Sequence, residues 1–99
     1  MSYQVFVDPK AITELDESYK WYNERSEGLG KKLIESVNSR INEISQNPVR
    51  YPKKKKNYRE VSIEKFPFVI IYEILEKEQV IYVSYIFHTK RNPKLKYKR

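Results

Sequence analysis

The chain has 99 residues, the size of one domain with a single modest core, so we predict one domain over residues 1–99. The absence of cysteine excludes disulfide bonds and thiolate metal sites, and one histidine cannot build a histidine-rich metal centre. We therefore predict no metal and no cofactor. The net charge of +7 is uneven, because residues 1–47 carry six Lys and Arg against eight Asp and Glu, whereas residues 48–99 carry fourteen against five.

This charge asymmetry indicates an anionic partner, either nucleic acid or an acidic protein, unless the lysines serve only solubility. No apolar run approaches the roughly 20 residues that a membrane-spanning helix needs. The first ten residues lack the basic start and apolar stretch of a secretory signal. These features predict a cytoplasmic protein without membrane association.

The first half of the sequence predicts one strand and two helices. Residues 3–7 alternate and are rich in β-formers, and Asp8 and Pro9 are a typical N-cap and first-turn pair for a helix over about 9–24. A second helix with its own apolar stripe follows the glycines of "SEGLG" and ends before Asn47. The short connection predicts an antiparallel hairpin whose apolar stripes pack on a sheet.

The second half predicts a loop and a three-stranded meander. Residues 47–57 contain two prolines and a lysine run, which is typical of a loop. Strands are predicted over 58–63, 66–75 and 79–87, with a tight turn at 76–78. The predicted fold class is α+β: an N-terminal strand, an antiparallel two-helix hairpin and a three-stranded antiparallel meander, with the helices on one face of the sheet.

Two helices cover one face of a sheet, so we expect large apolar side chains of the last two strands to stay exposed on the other face. Such a surface usually binds a protein. The alternative is that the C-terminal tail folds over it.

The sequence offers no conventional catalytic set. No Ser-His-Asp arrangement is supported by the spacing, and two glycines cannot form a phosphate-binding loop. The lone His88 falls in the same alternation as Val80, Tyr82, Ser84 and Ile86. We interpret His88 as a strand-end residue that hydrogen-bonds locally, or else as an acid or base near neutral pH.

The basic residues are candidates for binding a nucleic acid or another target. An arginine that a strand positions can bind phosphate through two hydrogen bonds, which applies to Arg59 and Arg91. In a ribonuclease such arginines would stabilise the charged transition state while a tyrosine or lysine moved the proton. The other candidates lie in the loop and near the C-terminus: Lys53, Lys54, Lys55, Lys56, Lys90 and Lys94.

Several segments together resemble the RelE/ParE toxin superfamily of bacterial type II toxin–antitoxin systems. No single motif is diagnostic, but their order and spacing cover nearly the whole chain. The segments are Ala11 to Leu15 in helix one, "GLG" at 28–30, "NPVRYP" at 47–52, Arg59 followed by "FPFVIIY" at 66–72, and "HTKRNP" at 88–93.

The resemblance implies one of two activities. RelE-like members cut messenger RNA on the ribosome, using basic residues and a tyrosine near the C-terminus, whereas ParE-like members poison DNA gyrase and have no known hydrolytic site. On the RelE pattern, Arg91 and Tyr97 match site positions, and Arg59 and His88 would assist them.

Other positions depart from the RelE pattern and favour the ParE-like branch. Glu60 and Ser62 stand where RelE-type enzymes have two lysines, and Val69 stands where they have an arginine. We therefore predict a type II toxin that inhibits growth by binding a macromolecular target, with DNA gyrase favoured. The alternatives are a ribosome-dependent mRNA endoribonuclease and a non-toxic binding module of the same fold.

The resemblance also implies a cognate antitoxin, which in this family is usually an acidic or amphipathic segment that wraps the toxin. A toxin–antitoxin hetero-oligomer would provide a partner for the uncovered sheet face. The predicted antitoxin-binding residues are Phe68, Tyr72, Tyr82 and Tyr85.

Overall fold

A five-stranded mixed sheet organises the fold in this computed structural model, which describes residues 2–90. Two helices, α1 (Pro9–Arg25) and α2 (Leu29–Gln46), follow the first strand, and a 3₁₀ turn over Pro48–Arg50 leads from α2 back to the sheet. The strands are β1 (Gln4–Val7), β2 (Lys53–Lys55), β3 (Tyr58–Ser62), β4 (Phe68–Leu75) and β5 (Val80–His88). The predicted α+β class, helical hairpin and three-stranded meander are confirmed.

The strand order across the sheet is β1-β5-β4-β3-β2. The first strand runs parallel to β5, and the remaining neighbours are antiparallel. The N-terminal strand thus pairs with the last strand, and the connection between them contains both helices and the strands β2, β3 and β4.

Local sequence signals begin the two helices. The Asp8 carboxylate accepts a hydrogen bond from the Lys10 backbone N–H at 2.8 Å, and Pro9 occupies the first turn, where it costs no hydrogen bond. The second helix begins after Gly28, whose φ of +85° lies in the left-handed region that favours glycine. Both ends of α1 and the end of α2 lie within one residue of the predicted positions, whereas α2 begins at Leu29, between the two glycines that were predicted to precede it.

The main core lies between the helices and the sheet. From the sheet, β4 contributes Phe68, Ile70 and Tyr72, and β5 contributes Ile81, Val83 and Ile86. From the helices, fully buried Ala11, Leu33, Val37 and Ile44 pack against them. Burial of each large apolar side chain contributes about 1.5–3 kcal/mol, so this layer is the principal source of stability.

The lysine run forms an edge strand, so the prediction of a loop over residues 47–57 is wrong in part. Lys53 pairs with Arg59 and Lys55 pairs with Tyr58, across a turn in which Lys56 has a φ of +51°. Lysine is a poor strand former, but exposed lysines suit an edge strand because their charges discourage pairing with another chain.

A β-bulge in β5 makes the prediction that His88 shares a face with Val80 and Tyr82 wrong. Ile71 pairs with Tyr85 while the next residue, Tyr72, pairs with Val83, which leaves Ser84 as an extra residue. The bulge shifts the faces, so His88 lies on the helix-facing side of the sheet with Phe68 and not on the side of Tyr82.

The sheet face opposite the helices, called the open face below, does not expose the apolar side chains predicted there. Ile71, Tyr85 and Phe87 are 0%, 2% and 7% exposed, and they form a second small cluster with Tyr58 and Val69. The expectation of a large exposed apolar face is therefore wrong at these positions.

Candidate functional site

Arg59 and Tyr72 anchor the segment that leaves α2. The Arg59 guanidinium donates a hydrogen bond of 2.6 Å to the Tyr51 carbonyl, and the Tyr72 hydroxyl donates one of 2.6 Å to the Pro48 carbonyl. Tyr72 is fully buried, and this burial raises its pKa to about 12 despite the nearby Arg59 charge. The arginine predicted to stabilise a transition state thus binds backbone carbonyls of its own chain.

His88 ends β5 and makes the local hydrogen bond that we predicted for a strand-end histidine. Its Nδ1 accepts from the Lys90 backbone N–H at 3.1 Å, and its ring meets the Phe68 ring edge-on with centroids 5.1 Å apart. Both contacts fix the position of the imidazole at the end of the strand.

The structure does not bring Arg59 and His88 together. Arg59 pairs with Tyr72, whereas His88 pairs with Phe68, which lies four residues earlier in β4. Four residues along a strand span about 13 Å and two strand spacings about 10 Å, which separates the two backbones by roughly 16 Å. In addition, the Arg59 guanidinium is held on the Tyr51 carbonyl and is not directed to a site shared with His88.

The predicted basic residues are also dispersed within residues 2–90. Lys53, Lys54 and Lys55 lie on β2 at one edge of the sheet, three strands away from β5, which leads to Lys90. Lys54 shares a shallow groove with Glu60 and Val69, and a carboxylate there opposes binding of phosphate. The predicted site residues Arg91, Lys94 and Tyr97 lie outside the described residues, so their roles stay predictions.

Three of the four predicted antitoxin-binding residues are buried. Phe68 and Tyr72 lie in the helix-facing core at 1% and 0% exposure, and Tyr85 is 2% exposed in the open-face cluster. Tyr82 is half-buried, and its hydroxyl donates to Asp8 Oδ2 at 2.8 Å, a bond that raises the pKa of Tyr82. These side chains do not form the exposed apolar surface on which the prediction relied.

A cleft between α1 and the end of β5 combines aromatic rings with charge, and is called the Trp21 cleft below. It has a volume of about 400 Å³ and is lined by Glu17, Ser18, Trp21, Tyr22, His88 and Lys90, with buried Phe68 at its base. The Arg25 guanidinium lies 3.9 Å from the Trp21 ring centroid, a cation–π contact. Sequence reasoning missed this cleft, although a tryptophan four residues before an arginine on the polar side of a helix was a usable signal.

A second, shallower groove runs between the two helices and is called the hairpin groove below. It has a volume of about 300 Å³ and is lined by Ile12, Leu15, Asp16, Tyr19 and Ile34. Ile12 is 54% exposed, which makes it one of the most exposed large apolar side chains within residues 2–90. An apolar groove of this kind, with an acidic side chain at its edge, suits a helical or extended peptide.

The sequence matches the family described as "ParE toxin of type II toxin-antitoxin system, parDE" over residues 5–93. The chain belongs to the ParE toxin family. Membership of the RelE/ParE superfamily, predicted from the order of short motifs, is confirmed. Among curated protein sequences, none matches this chain.

Solved structures share the fold of this ParE-family chain at low sequence identity. A chromosomal ParDE toxin–antitoxin system from P. aeruginosa matches with a TM-score of 0.76 and 16% identity, over 90% of this chain and 98% of that one. The isolated RelE toxin from E. coli matches with a TM-score of 0.68 and 16% identity, over 92% of this chain and 88% of that one. An archaeal RelE–RelB complex from Pyrococcus horikoshii OT3 matches with a TM-score of 0.56 and 14% identity, over 93% of this chain and 100% of that one.

Residues 2–90 of this ParE-family chain offer neither a metal-ligand cluster nor a membrane-spanning helix. No cluster of three or more His, Cys, Asp and Glu side chains suitable for a metal ion occurs among these residues. Neither α1 nor α2 combines the length and apolar character needed to cross a membrane.

Proposed function

We propose that this toxin inhibits growth by binding a macromolecular target, DNA gyrase, without cutting RNA. The observation that carries the proposal is the match to the ParE toxin family over residues 5–93. ParE-like members of the superfamily, as the resemblance implies, poison gyrase and have no known hydrolytic site. The structural likeness to a ParDE system agrees with this proposal, but the RelE toxin shares the fold, so the likeness does not separate the two branches.

The geometry of the described residues adds an argument against the RNA-cutting alternative. The Arg59 guanidinium binds the Tyr51 carbonyl at 2.6 Å, and the Arg59 backbone lies roughly 16 Å from that of His88, which opposes joint action of the two side chains on one phosphate. Glu60 adds a negative charge on the strand where RelE-type enzymes have lysines. A nuclease would therefore depend on Arg91, Tyr97 and His88 without help from Arg59.

Inducible expression in a bacterial host tests the proposal. We expect growth arrest with DNA breaks and intact messages, because a poisoned gyrase leaves cleaved DNA. Site-specific cuts in translated messages would instead support the endoribonuclease, and Arg91→Ala should then abolish the cuts. Normal growth at a verified level of folded protein would support the non-toxic binding module and contradict the proposal.

The proposal includes a cognate antitoxin, and the hairpin groove is the surface we propose for it. Three of the four side chains first predicted to bind the antitoxin are buried, whereas the groove presents half-exposed Ile12 to solvent. An amphipathic antitoxin segment would bury this apolar surface.

A charge placed in the hairpin groove tests this surface. We expect Ile12→Glu to weaken copurification with the product of the adjacent antitoxin-like reading frame, because a carboxylate would be buried against the partner. Ser39→Glu is the matched control, since Ser39 is an exposed residue of α2 outside the groove. Equal copurification of both variants at wild-type stability would exclude the groove as the antitoxin site.

A further inference from the structure

We propose that the Trp21 cleft binds one nucleotide unit, with the base against its aromatic rings and the phosphate at Lys90. The inference concerns a site separate from the hairpin groove, and it stands whether or not the chain poisons gyrase. A nucleotide has an aromatic base, an exocyclic amino group on most bases and a negatively charged phosphate. The cleft has a group that complements each of these.

The aromatic part of the cleft is held in place by its own contacts. Trp21 and Tyr22 meet edge to face with centroids 5.0 Å apart and planes at 84°. The ring centroids of Phe68 and His88 lie 5.1 Å apart, with their planes at 76°. The Arg25 guanidinium lies 3.9 Å from the Trp21 ring centroid and restrains that ring from one side. Rings fixed in this way offer contact surface to a base at little cost in side-chain entropy.

Trp21 itself is 49% exposed, which is unusual for the largest apolar side chain in a small domain. A base stacked on or beside an aromatic ring contributes about 1–3 kcal/mol to binding, independently of its sequence. The exposed part of Trp21 therefore provides the principal contact for a base in the cleft.

Charged groups at the rim match the remaining parts of a nucleotide. Lys90 at the rim and Arg25 beside Trp21 supply two positive charges that attract a phosphate, and His88, whose Nδ1 accepts from the Lys90 backbone N–H, carries its donor N–H on Nε2. The Glu17 carboxylate on α1 accepts hydrogen bonds and cannot bind phosphate, but it can accept from an exocyclic amino group of adenine, guanine or cytosine.

The size of the cleft agrees with one nucleotide. Its volume of about 400 Å³ lies at the lower end of the range of roughly 300–1,000 Å³ that is typical of small-ligand sites. It is open to solvent, so a nucleotide within a longer single strand could enter it. The ligand chemistry is therefore a nucleoside monophosphate unit, whether free or part of a strand.

Because Trp21 is the only tryptophan of the chain, its fluorescence reports directly on the cleft. The purified full chain is titrated with AMP, adenosine and ribose 5-phosphate, with excitation at the red edge of tryptophan absorption and equilibrium dialysis of AMP in parallel. We expect saturable quenching and binding with AMP, weaker saturation with adenosine and none with ribose 5-phosphate. Short RNA and DNA single strands then separate a free nucleotide from a strand as the source, because only a strand site would bind oligomers more tightly than AMP.

Two lysine variants test the phosphate contact. Lys90→Gln should weaken AMP binding about fivefold, the upper range for an exposed charge pair, while changing adenosine binding less than twofold. Lys77→Gln removes the same charge in the turn between β4 and β5, at the opposite end of the sheet, and should leave both unchanged. These results would support the site.

Other results would overturn it. They are the absence of AMP binding in dialysis, equal binding of AMP and ribose 5-phosphate, and equal effects of the two lysine variants. Quenching by an acidic peptide but not by AMP would assign the Trp21 cleft to a protein partner and would likewise contradict the nucleotide proposal.

Discussion

Removal of one oxygen atom from the core tests how the chain leaves α2 and enters the sheet. The Tyr72 hydroxyl is fully buried and donates to the buried Pro48 carbonyl at 2.6 Å, across a sequence separation of 24 residues. Tyr72→Phe keeps the ring and leaves that carbonyl without its donor. Loss of a buried hydrogen bond in this manner costs about 1–3 kcal/mol, so we expect a free energy of unfolding lower by about 2 kcal/mol.

Urea and thermal denaturation, followed by circular dichroism near pH 7, measure this difference. A loss of about 2 kcal/mol lowers the Tm of a domain of this size by roughly 8–16 °C. The matched control is Tyr19→Phe, because no hydrogen bond of the Tyr19 hydroxyl occurs among residues 2–90, and we expect a change below about 0.5 kcal/mol. A Tyr72→Phe variant as stable as the Tyr19→Phe control would refute the anchoring role of the hydroxyl.

The same bond has a pH signature. The pKa of Tyr72 is raised from 10.0 to about 12, so the folded state favours the protonated phenol. The stabilisation is fully present below pH 10 and is lost as the pH rises through about 12. By linkage, the advantage of the wild type over Tyr72→Phe shrinks by about 1.4 kcal/mol between pH 8 and pH 11. A difference that stays constant across this interval would show that the phenol titrates normally.

Two further substitutions test the helical hairpin. Gly30→Ala should lower the free energy of unfolding by about 1–3 kcal/mol, because a Cβ at this position would lie 2.5 Å from the Tyr19 carbonyl oxygen. Urea denaturation measures this change, and a variant within about 0.5 kcal/mol of the wild type would contradict the close approach. Asp8→Ala should lower the free energy of unfolding by about 1 kcal/mol, because the Lys10 backbone N–H loses its cap. The same variant should return the pKa of Tyr82 toward its ordinary value, which ultraviolet titration of tyrosine can measure. Asp8→Asn should retain most of the cap but should not keep the pKa of Tyr82 raised.

The helices and the long strands were predictable because their signals are local. Asp8 and Pro9 begin α1, the glycines separate the helices, and β4 and β5 are apolar runs of a length that a loop would not show. These features depend on residues within a few positions of one another, so a pattern in the sequence is sufficient.

The features that sequence reasoning missed depend on contacts between distant residues. The edge strand Lys53–Lys55 forms because β3 offers hydrogen bonds at its free side, although its own residues have low strand propensity. The extra residue at Ser84 leaves no compositional trace, yet it reverses the faces of everything after it and moves His88 to the helix side.

In the candidate site, too, the local features were predictable from the sequence and the contacts between distant residues were not. Arg59 was correctly placed on a strand, but its partner is a carbonyl of Tyr51, and no periodicity reveals a backbone acceptor of this kind. The Trp21 cleft joins a helix near the N-terminus to the end of the last strand, so the sequence alone could not bring Trp21 and His88 together.

The parallel pairing of β1 with β5 has a consequence for how the molecule is made. Gln4 cannot reach its partner Val80 until roughly 75 more residues have been synthesised, which takes about 4–15 s at 5–20 residues per second. Until then β1 has no neighbour in the sheet, and contacts of such long range also slow the final closure. The sheet of the nascent chain is therefore complete only after β5 has been synthesised and has inserted between β1 and β4.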